Sequence, residues 1–252
     1  EAVEAGRILG IEVIAGIEID LFDKELEIDN FHLIAYLPGN DVEALKKKIE
    51  AVLASKLSKY LVEFVERSQR RVEAMRQEFN RQRQKQGFEL IKEDLTGIIP
   101  DQPQRYFLGK ALFDKYGKER LGVFDFQGAA HKYFSSNLVP YEGEENGLPA
   151  ERIIPLLEEA NFVSVLAHPG GKGMFNSTDR IKALLAKYKG KIQGIEVYSS
   201  KHTPQQTKEF EDMASELKLI KTLGSDNHDD RLDIFMALGN ISEDMAGNLP
   251  QD

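Results

Sequence analysis

His168 is a residue whose type and place in the sequence could do chemistry. It follows the short apolar run 163–166, which predicts a buried strand, and the Pro-Gly-Gly segment 169–171 then turns the chain. In α/β barrels, residues at the carboxyl ends of parallel strands form the active site. His168 is therefore a candidate ligand or catalytic group, and the plainer alternative is a histidine that bonds only to backbone.

Asp226 and His228 follow another apolar segment, 219–223, and lie two residues apart. On an extended backbone their side chains point to the same side of the chain. A carboxylate oxygen beside an imidazole nitrogen suits zinc, manganese or iron. The sequence contains no cysteine, so disulfides and thiolate metal sites are excluded and any metal must be held by histidines and carboxylates.

Glu18 and His32 are two further candidates, and both lie in apolar runs near the start of the chain. Glu18 stands near the end of the predicted strand 11–19, and His32 lies in the predicted strand 31–37. The ends of parallel barrel strands converge on one face, which would bring all five candidates together. Five ligands without cysteine suit a site with more than one metal, which activates water and binds a phosphoryl oxygen.

The segments between these candidates predict an α/β fold that is interrupted by a helical region. Helix and strand patterns alternate over 1–40 and 148–252, whereas 41–147 has apolar residues at helical spacing and no strand signal of any length. We therefore predict a discontinuous α/β domain with a helical insertion, or lid, at 41–147. The formal net charge of −9 argues against a protein that coats nucleic acid, and no apolar run approaches membrane-spanning length, so a cytoplasmic protein is expected.

Four segments taken together resemble the PHP (polymerase and histidinol phosphatase) family. The segment 194–200, with His202 shortly after it, is similar to the branch that contains nucleoside 3′,5′-bisphosphate phosphatases and short-RNA 5′→3′ exonucleases. The four segments occur in the order of the family, on predicted strands, and they cover the beginning and the end of the chain. They are Gly16-Ile17-Glu18, Phe31-His32-Leu33, Ala167-His168-Pro169 and Gly224-Ser225-Asp226-Asn227-His228.

The resemblance implies a distorted (β/α)7 TIM-like barrel that holds up to three divalent transition metals, namely manganese, iron or zinc. It also implies that metal-activated water hydrolyses a phosphomonoester of a small molecule, a nucleotide or a short oligonucleotide. Asp226, His228 and His202 are expected to take part in catalysis. The implied metal ligands are Glu18, His32, His168, Asp226 and His228.

The sequence departs from the family pattern in two places. The His-x-His and Thr-Asp-His motifs of the family have no counterpart before Glu18, so we expect an N-terminally truncated chain that lacks the first strands, binds metal weakly and is inactive as it stands. In the helical region, Arg105 stands where the branch has Arg-Pro-His, and Phe107 replaces the histidine. Arg105 and Lys172 are the candidate phosphate-binding residues.

Two other functions stay open on the residues alone. An amidohydrolase-type barrel that acts on C–N bonds also uses histidine and aspartate at strand ends, although this chain has no lysine in a matching place. A degenerate barrel without activity would serve as a protein-interaction or regulatory domain. A screen of phosphate esters against amides tests the first alternative, and metal analysis of the purified protein tests the second.

Overall fold

The structure is a computed structural model that describes residues 2–39, 41–95, 105–135, 138–139, 147–171, 175 and 177–225. These residues form a mixed α/β fold with one six-stranded sheet. The strands are β1 (Ala15–Asp23), β2 (Ile28–Leu37), β3 (Leu148–Pro149), β4 (Val163–Leu166), β5 (Ile192–Ser199) and β6 (Ile220–Gly224). The helices are α1 (Ala2–Leu9), α2 (Val42–Leu53), α3 (Lys56–Arg83), α4 (Arg105–Leu121), α5 (Phe126–Tyr133), α6 (Ala150–Glu159), α7 (Thr178–Lys187) and α8 (Pro204–Leu217), with short 3-10 turns at Gln84–Gln86 and Lys92–Leu95.

The sheet formed by the described residues is open, with the order β3-β1-β2-β4-β5-β6, so the predicted closed barrel is not seen in this part of the chain. β2 runs antiparallel to both β1 and β4, whereas β4, β5 and β6 are mutually parallel. β2 is antiparallel to β1 because the connection between these two strands is short. Only residues 24–27 separate these strands, which is enough for a hairpin but too short for the crossover that a parallel pair requires.

The chain divides into two compact units, which are Glu1–Leu57 with Asn146–Asp252, and Ser58–Glu145. The first unit contains the sheet, and α6 and α8 cover it with buried apolar residues such as Ile153 and Phe210. β5 is buried along almost its whole length, as expected for a strand between two parallel neighbours. This buried strand gives the sheet a rigid centre on which the candidate site is built.

The second unit is helical in its described residues, which contain no strand. Apolar residues of α3 at spacings of three and four face the core, as at Val72, Met75 and Phe79. α4 and α5 meet at Gly109, where a Cβ atom would lie 2.6 Å from the backbone nitrogen of Ala130. In the described part of the chain, no helix combines the length and the apolar character that crossing a membrane requires.

Candidate metal centre

Strand pairing places Glu18 and His32 beside each other. In the antiparallel pair β1–β2, Asp20 lies directly opposite His32, and Glu18 is two residues before Asp20 on the same side of the strand. Directly opposed and diagonal side chains across such a pair are close enough to interact. The register of the hairpin therefore directs both carboxylates of β1 toward the His32 imidazole.

His168 joins this pair from the end of β4, the strand on the other side of β2. The Ala167 N–H donates a hydrogen bond of 3.0 Å to the His32 carbonyl, which aligns the two chain segments. His168 is buried, with 5% of its surface exposed, and its imidazole lies 4.9 Å from that of His32 at an angle of 86°. β1, β2 and the turn that follows β4 thus each supply one side chain to the same place.

The three side chains present one ligand atom each to a common point. Glu18 Oε1 lies 2.7 Å from His32 Nδ1 and 3.2 Å from His168 Nε2, and the two nitrogens are 3.3 Å apart. Metal bonds of about 2.0–2.2 Å place neighbouring ligand atoms about 2.8–3.6 Å apart in tetrahedral or octahedral geometry. Two of the three distances fall in that range, and the third has the length of a direct hydrogen bond. The donor set and its spacing therefore fit a divalent transition metal.

The charges of this cluster are strongly coupled. Burial opposes ionisation of Glu18, but hydrogen bonds with His168 and His32 outweigh burial and hold the pKa of its carboxyl well below the usual range. Burial likewise opposes the charge on His32, but hydrogen bonds to Asp20 and Glu18 raise its pKa to about 9. Without a metal, the cluster therefore holds a proton on His32 at neutral pH.

Metal binding is expected to release that proton. A metal at Nδ1 requires a neutral imidazole, so below pH 9 the cation and the proton compete for His32. We expect about one proton to be released per Mn²⁺ at pH 7, falling toward zero above about pH 10, with an affinity that rises by up to about tenfold per pH unit between these limits. Calorimetry in buffers of different ionisation enthalpy measures the released proton. An affinity that stays constant from pH 7 to pH 9 would contradict this assignment.

Asp20 is a site residue that the sequence analysis missed. Its Oδ1 lies 2.9 Å from His32 Nε2, on the side of the imidazole away from Glu18. A carboxylate in this position fixes the orientation of a metal-binding histidine and increases its basicity. The signal was present in the sequence, because Asp20 follows Glu18 by two residues and so lies on the same face of a strand.

Replacing Asp20 with alanine is expected to weaken Mn²⁺ binding by about 10–100-fold, because His32 loses the partner that orients it. A matched control is Asp29→Ala, since Asp29 is also an aspartate of this hairpin but is exposed. Titration of both variants with Mn²⁺ measures the effect. Equal affinities for the two variants would show that Asp20 does not support the site.

The other predicted site residues have different surroundings. Asp226 and His228, and also Lys172, lie outside the described residues. Arg105 begins α4 in the helical unit, where its guanidinium lies 5.1 Å from the centre of the Tyr106 ring and Nη2 donates a hydrogen bond of 3.2 Å to the Tyr106 hydroxyl. The described contacts of Arg105 are therefore with a neighbouring side chain of its own helix.

His202, one of the two predicted catalytic histidines, is buried between backbone groups of the sheet unit. Its Nδ1 lies 2.9 Å from the Val197 carbonyl oxygen, and its Nε2 lies 3.2 Å from the Gly170 backbone nitrogen. Burial lowers the pKa of its imidazole, so the ring is neutral at pH 7. Both ring nitrogens are thus engaged with the backbone near His168.

Comparison with known proteins shows a shared fold. No family model and no curated protein matches the chain. The fold is similar to that of a protein from Bifidobacterium adolescentis, named as a candidate metal-dependent phosphoesterase, with a TM-score of 0.67 and 22% identity over 96% of this chain and 76% of that one. It is also similar to an amidohydrolase from Chromobacterium violaceum, solved with sulfate and no metal, with a TM-score of 0.60 and 20% identity over 90% of this chain and 72% of that one. This chain therefore has the mixed α/β fold of these two proteins.

Proposed function

We propose that this protein is a metal-dependent hydrolase in which Glu18, His32 and His168 bind a divalent transition metal. The observation that carries the proposal is the triangle of one carboxylate oxygen and two imidazole nitrogens, with sides of 2.7, 3.2 and 3.3 Å. Two of the three ligand atoms belong to histidines, and His168 is almost fully buried, whereas acidic side chains without a bound ion are mostly exposed. Asp226 and His228 are proposed as further ligands on their sequence pattern.

We propose a phosphomonoester as the substrate. A bound metal of this kind would polarise a phosphoryl oxygen and lower the pKa of a bound water molecule. The role of the chain is to present two imidazole nitrogens and one carboxylate oxygen, so that the ligand set, with His32 neutral once metal is bound, carries little negative charge to repel an anionic substrate. Arg105 and Lys172 are proposed as the groups that contact its phosphate. The name of the Bifidobacterium neighbour supports this substrate class.

The finer proposal is that the chain is related to the PHP family, in the branch of the nucleoside 3′,5′-bisphosphate phosphatases and short-RNA exonucleases. It is supported by the order of the Glu18, His32, His168 and Asp226 segments along the sequence. Manganese, iron and zinc all accept a mixed set of imidazole and carboxylate ligands. Up to three such ions are proposed, as the resemblance to the family implies.

Hydrolysis of amides is the second candidate function. The name of the Chromobacterium neighbour favours it, since that protein is called an amidohydrolase. Both reactions would use the same metal ligands, so the geometry of Glu18, His32 and His168 does not separate them. Catalysis by this cluster, whichever bond is cleaved, requires bound metal, whereas a non-catalytic module does not.

The proposal is tested on the purified full-length protein by elemental analysis and by two substrate panels assayed with added Mn²⁺. The first panel contains nucleoside monophosphates and 3′,5′-bisphosphates, and the second contains N-acyl amino acids and cyclic amides. We expect bound transition metal and turnover on the first panel only, with turnover abolished by chelation. Turnover on the second panel alone would reject the phosphomonoester, and absence of metal binding would reject the hydrolase.

A further inference from the structure

The turn that follows β4 is held by side chains from two other segments. His168 has a positive φ of 23°, which is rare for a residue other than glycine. Its N–H donates a hydrogen bond of 2.7 Å to Glu196 Oε2. The turn is closed by a hydrogen bond of 2.9 Å from the Gly171 N–H to the His168 carbonyl oxygen. Because β4 ends at Leu166, the sheet ladder does not hold His168, and the turn depends on these added contacts.

His202 supplies the next contact along this turn. The Gly170 N–H donates a hydrogen bond of 3.2 Å to His202 Nε2. A Cβ atom on Gly170 would lie 2.7 Å from His202 Cδ2, so glycine is needed for the backbone to approach the ring. The ring also packs edge-on against Phe210, at 4.9 Å and 69°, which fixes its plane on α8.

Two of the backbone hydrogen bonds of the His202 ring indicate its tautomer, and the His168 backbone is a further partner of the ring. The Val197 carbonyl oxygen can only accept, so Nδ1, at 2.9 Å, must carry the proton. The Gly170 N–H can only donate, so Nε2 must carry the lone pair. This imidazole therefore has neither an N–H to give to a leaving group nor a lone pair to take a proton from water.

We propose that His202 is a positioning residue that holds the 168–170 turn, so that His168 Nε2 faces Glu18 and His32. This inference deepens the proposed function and rests on it, because a correctly positioned His168 would increase the affinity of the site for the metal. The chain of contacts is short: Val197 orients the ring, the ring holds Gly170, and Gly170 lies two residues after the ligand. Support of this kind for a metal ligand is commonly worth about 10–100-fold in affinity.

The test compares His202→Phe with His202→Gln in the full chain. Phenylalanine keeps the packing against Phe210 but removes both hydrogen bonds, and we expect Mn²⁺ to bind about 10–100-fold more weakly. Glutamine places an oxygen acceptor near the position of Nε2, so its affinity is expected to lie between those of His202→Phe and the wild type. The control is Lys208→Ala, an exposed change on α8, the helix that follows His202, and its affinity is expected to stay within about twofold of the wild type.

A general acid and a positioning residue give opposite results in this test. If His202→Phe binds Mn²⁺ as tightly as the wild type while turnover is lost, His202 acts on the substrate and the proposal is overturned. If His202→Phe does not fold, the ¹⁵N spectrum of the wild-type imidazole decides, because a proton on Nε2 overturns the proposal and a proton on Nδ1 supports it.

Failure of the metal proposal gives a different result. If the wild type binds no Mn²⁺, the proposed function falls, and the effect of His202 on the turn is measured by hydrogen exchange at the Gly170 amide. Protection in the wild type and His202→Gln, with fast exchange in His202→Phe, supports the role in holding the turn. Equal protection in all three proteins overturns it.

Discussion

In the full-length protein, replacing His168 with alanine is expected to weaken Mn²⁺ binding by more than about 100-fold and to abolish hydrolysis. Loss of a ligand costs more than loss of a hydrogen bond that supports one, and the latter already costs about 10–100-fold. His168 is the most buried of the three candidate ligands, with 6% of its side chain exposed, against 23% for His32 and 43% for Glu18. After truncation of His168, a water molecule would therefore fill the position of the lost ligand atom less readily than after truncation of His32 or Glu18.

The experiment needs a control that also removes one histidine. His131→Ala serves this purpose, because His131 is an exposed residue of α5 in the helical unit. Mn²⁺ titration and elemental analysis compare the two variants, with circular dichroism to verify that both are folded. Retention of metal by a folded His168→Ala protein would remove the basis for the metal centre, whereas loss of metal in His131→Ala would show that the assay reports stability.

Replacing Asp23 with alanine is expected to lower the free energy of unfolding by about 3 kcal/mol, without any role for the metal. The Asp23 carboxylate has 1% of its side chain exposed, and it accepts hydrogen bonds of 2.8 Å from Lys187 Nζ and 2.6 Å from the Tyr188 hydroxyl. It also accepts a hydrogen bond of 3.0 Å from the Leu26 N–H in the β1–β2 turn. The substitution would leave the buried Tyr188 hydroxyl without its acceptor and would remove one of the two carboxylates that contact the partly buried Lys187.

Glu25→Ala is the matched control, because Glu25 contacts the same lysine at 2.8 Å but has 78% of its side chain exposed. Exposed ion pairs contribute about 0–1 kcal/mol, so this variant should unfold at nearly the wild-type denaturant concentration. Urea unfolding at pH 7 compares the two. A similar decrease in the free energy of unfolding in both variants would mean that the burial of Asp23 does not determine its contribution to stability.

The stabilisation from Asp23 should also depend on pH in one direction. Burial raises the pKa of its carboxyl, but hydrogen bonds from Lys187 and Tyr188 outweigh burial and hold it below the ordinary value. A carboxyl with a lowered pKa in the folded state stabilises the fold above its unfolded pKa of about 3.9, and this contribution is lost as the pH falls through the folded value. The difference in stability between wild type and Asp23→Ala should therefore shrink in acid.

The candidate ligands could be chosen from the sequence because they are polar residues in otherwise apolar runs. Glu18, His32 and His168 were predicted on that pattern, and the structure brings all three together. The mixed α/β character of the fold, predicted from alternating helix and strand patterns, is confirmed. These features depend on local sequence, which is the information that a pattern contains.

The parts that could not be predicted depend on pairing between distant segments. The antiparallel course of β2 follows from its hairpin with β1, and the importance of Asp20 follows from its place opposite His32 in that pair. The surroundings of His202 depend on Gly170, which is 32 residues away in sequence. The residue pattern of one strand does not specify which strand lies beside it in the sheet.

Glu18 and His32 lie on β1 and β2, and His168 follows the next strand of the sheet, although His32 and His168 are separated by 136 residues of sequence. A cation held between them would act as a removable cross-link that closes a very long loop in the chain. Since only the folded protein brings these groups together, ion uptake would shift the folding equilibrium by mass action. The melting temperature should consequently climb with the concentration of free ion, and a chelator should reverse that gain.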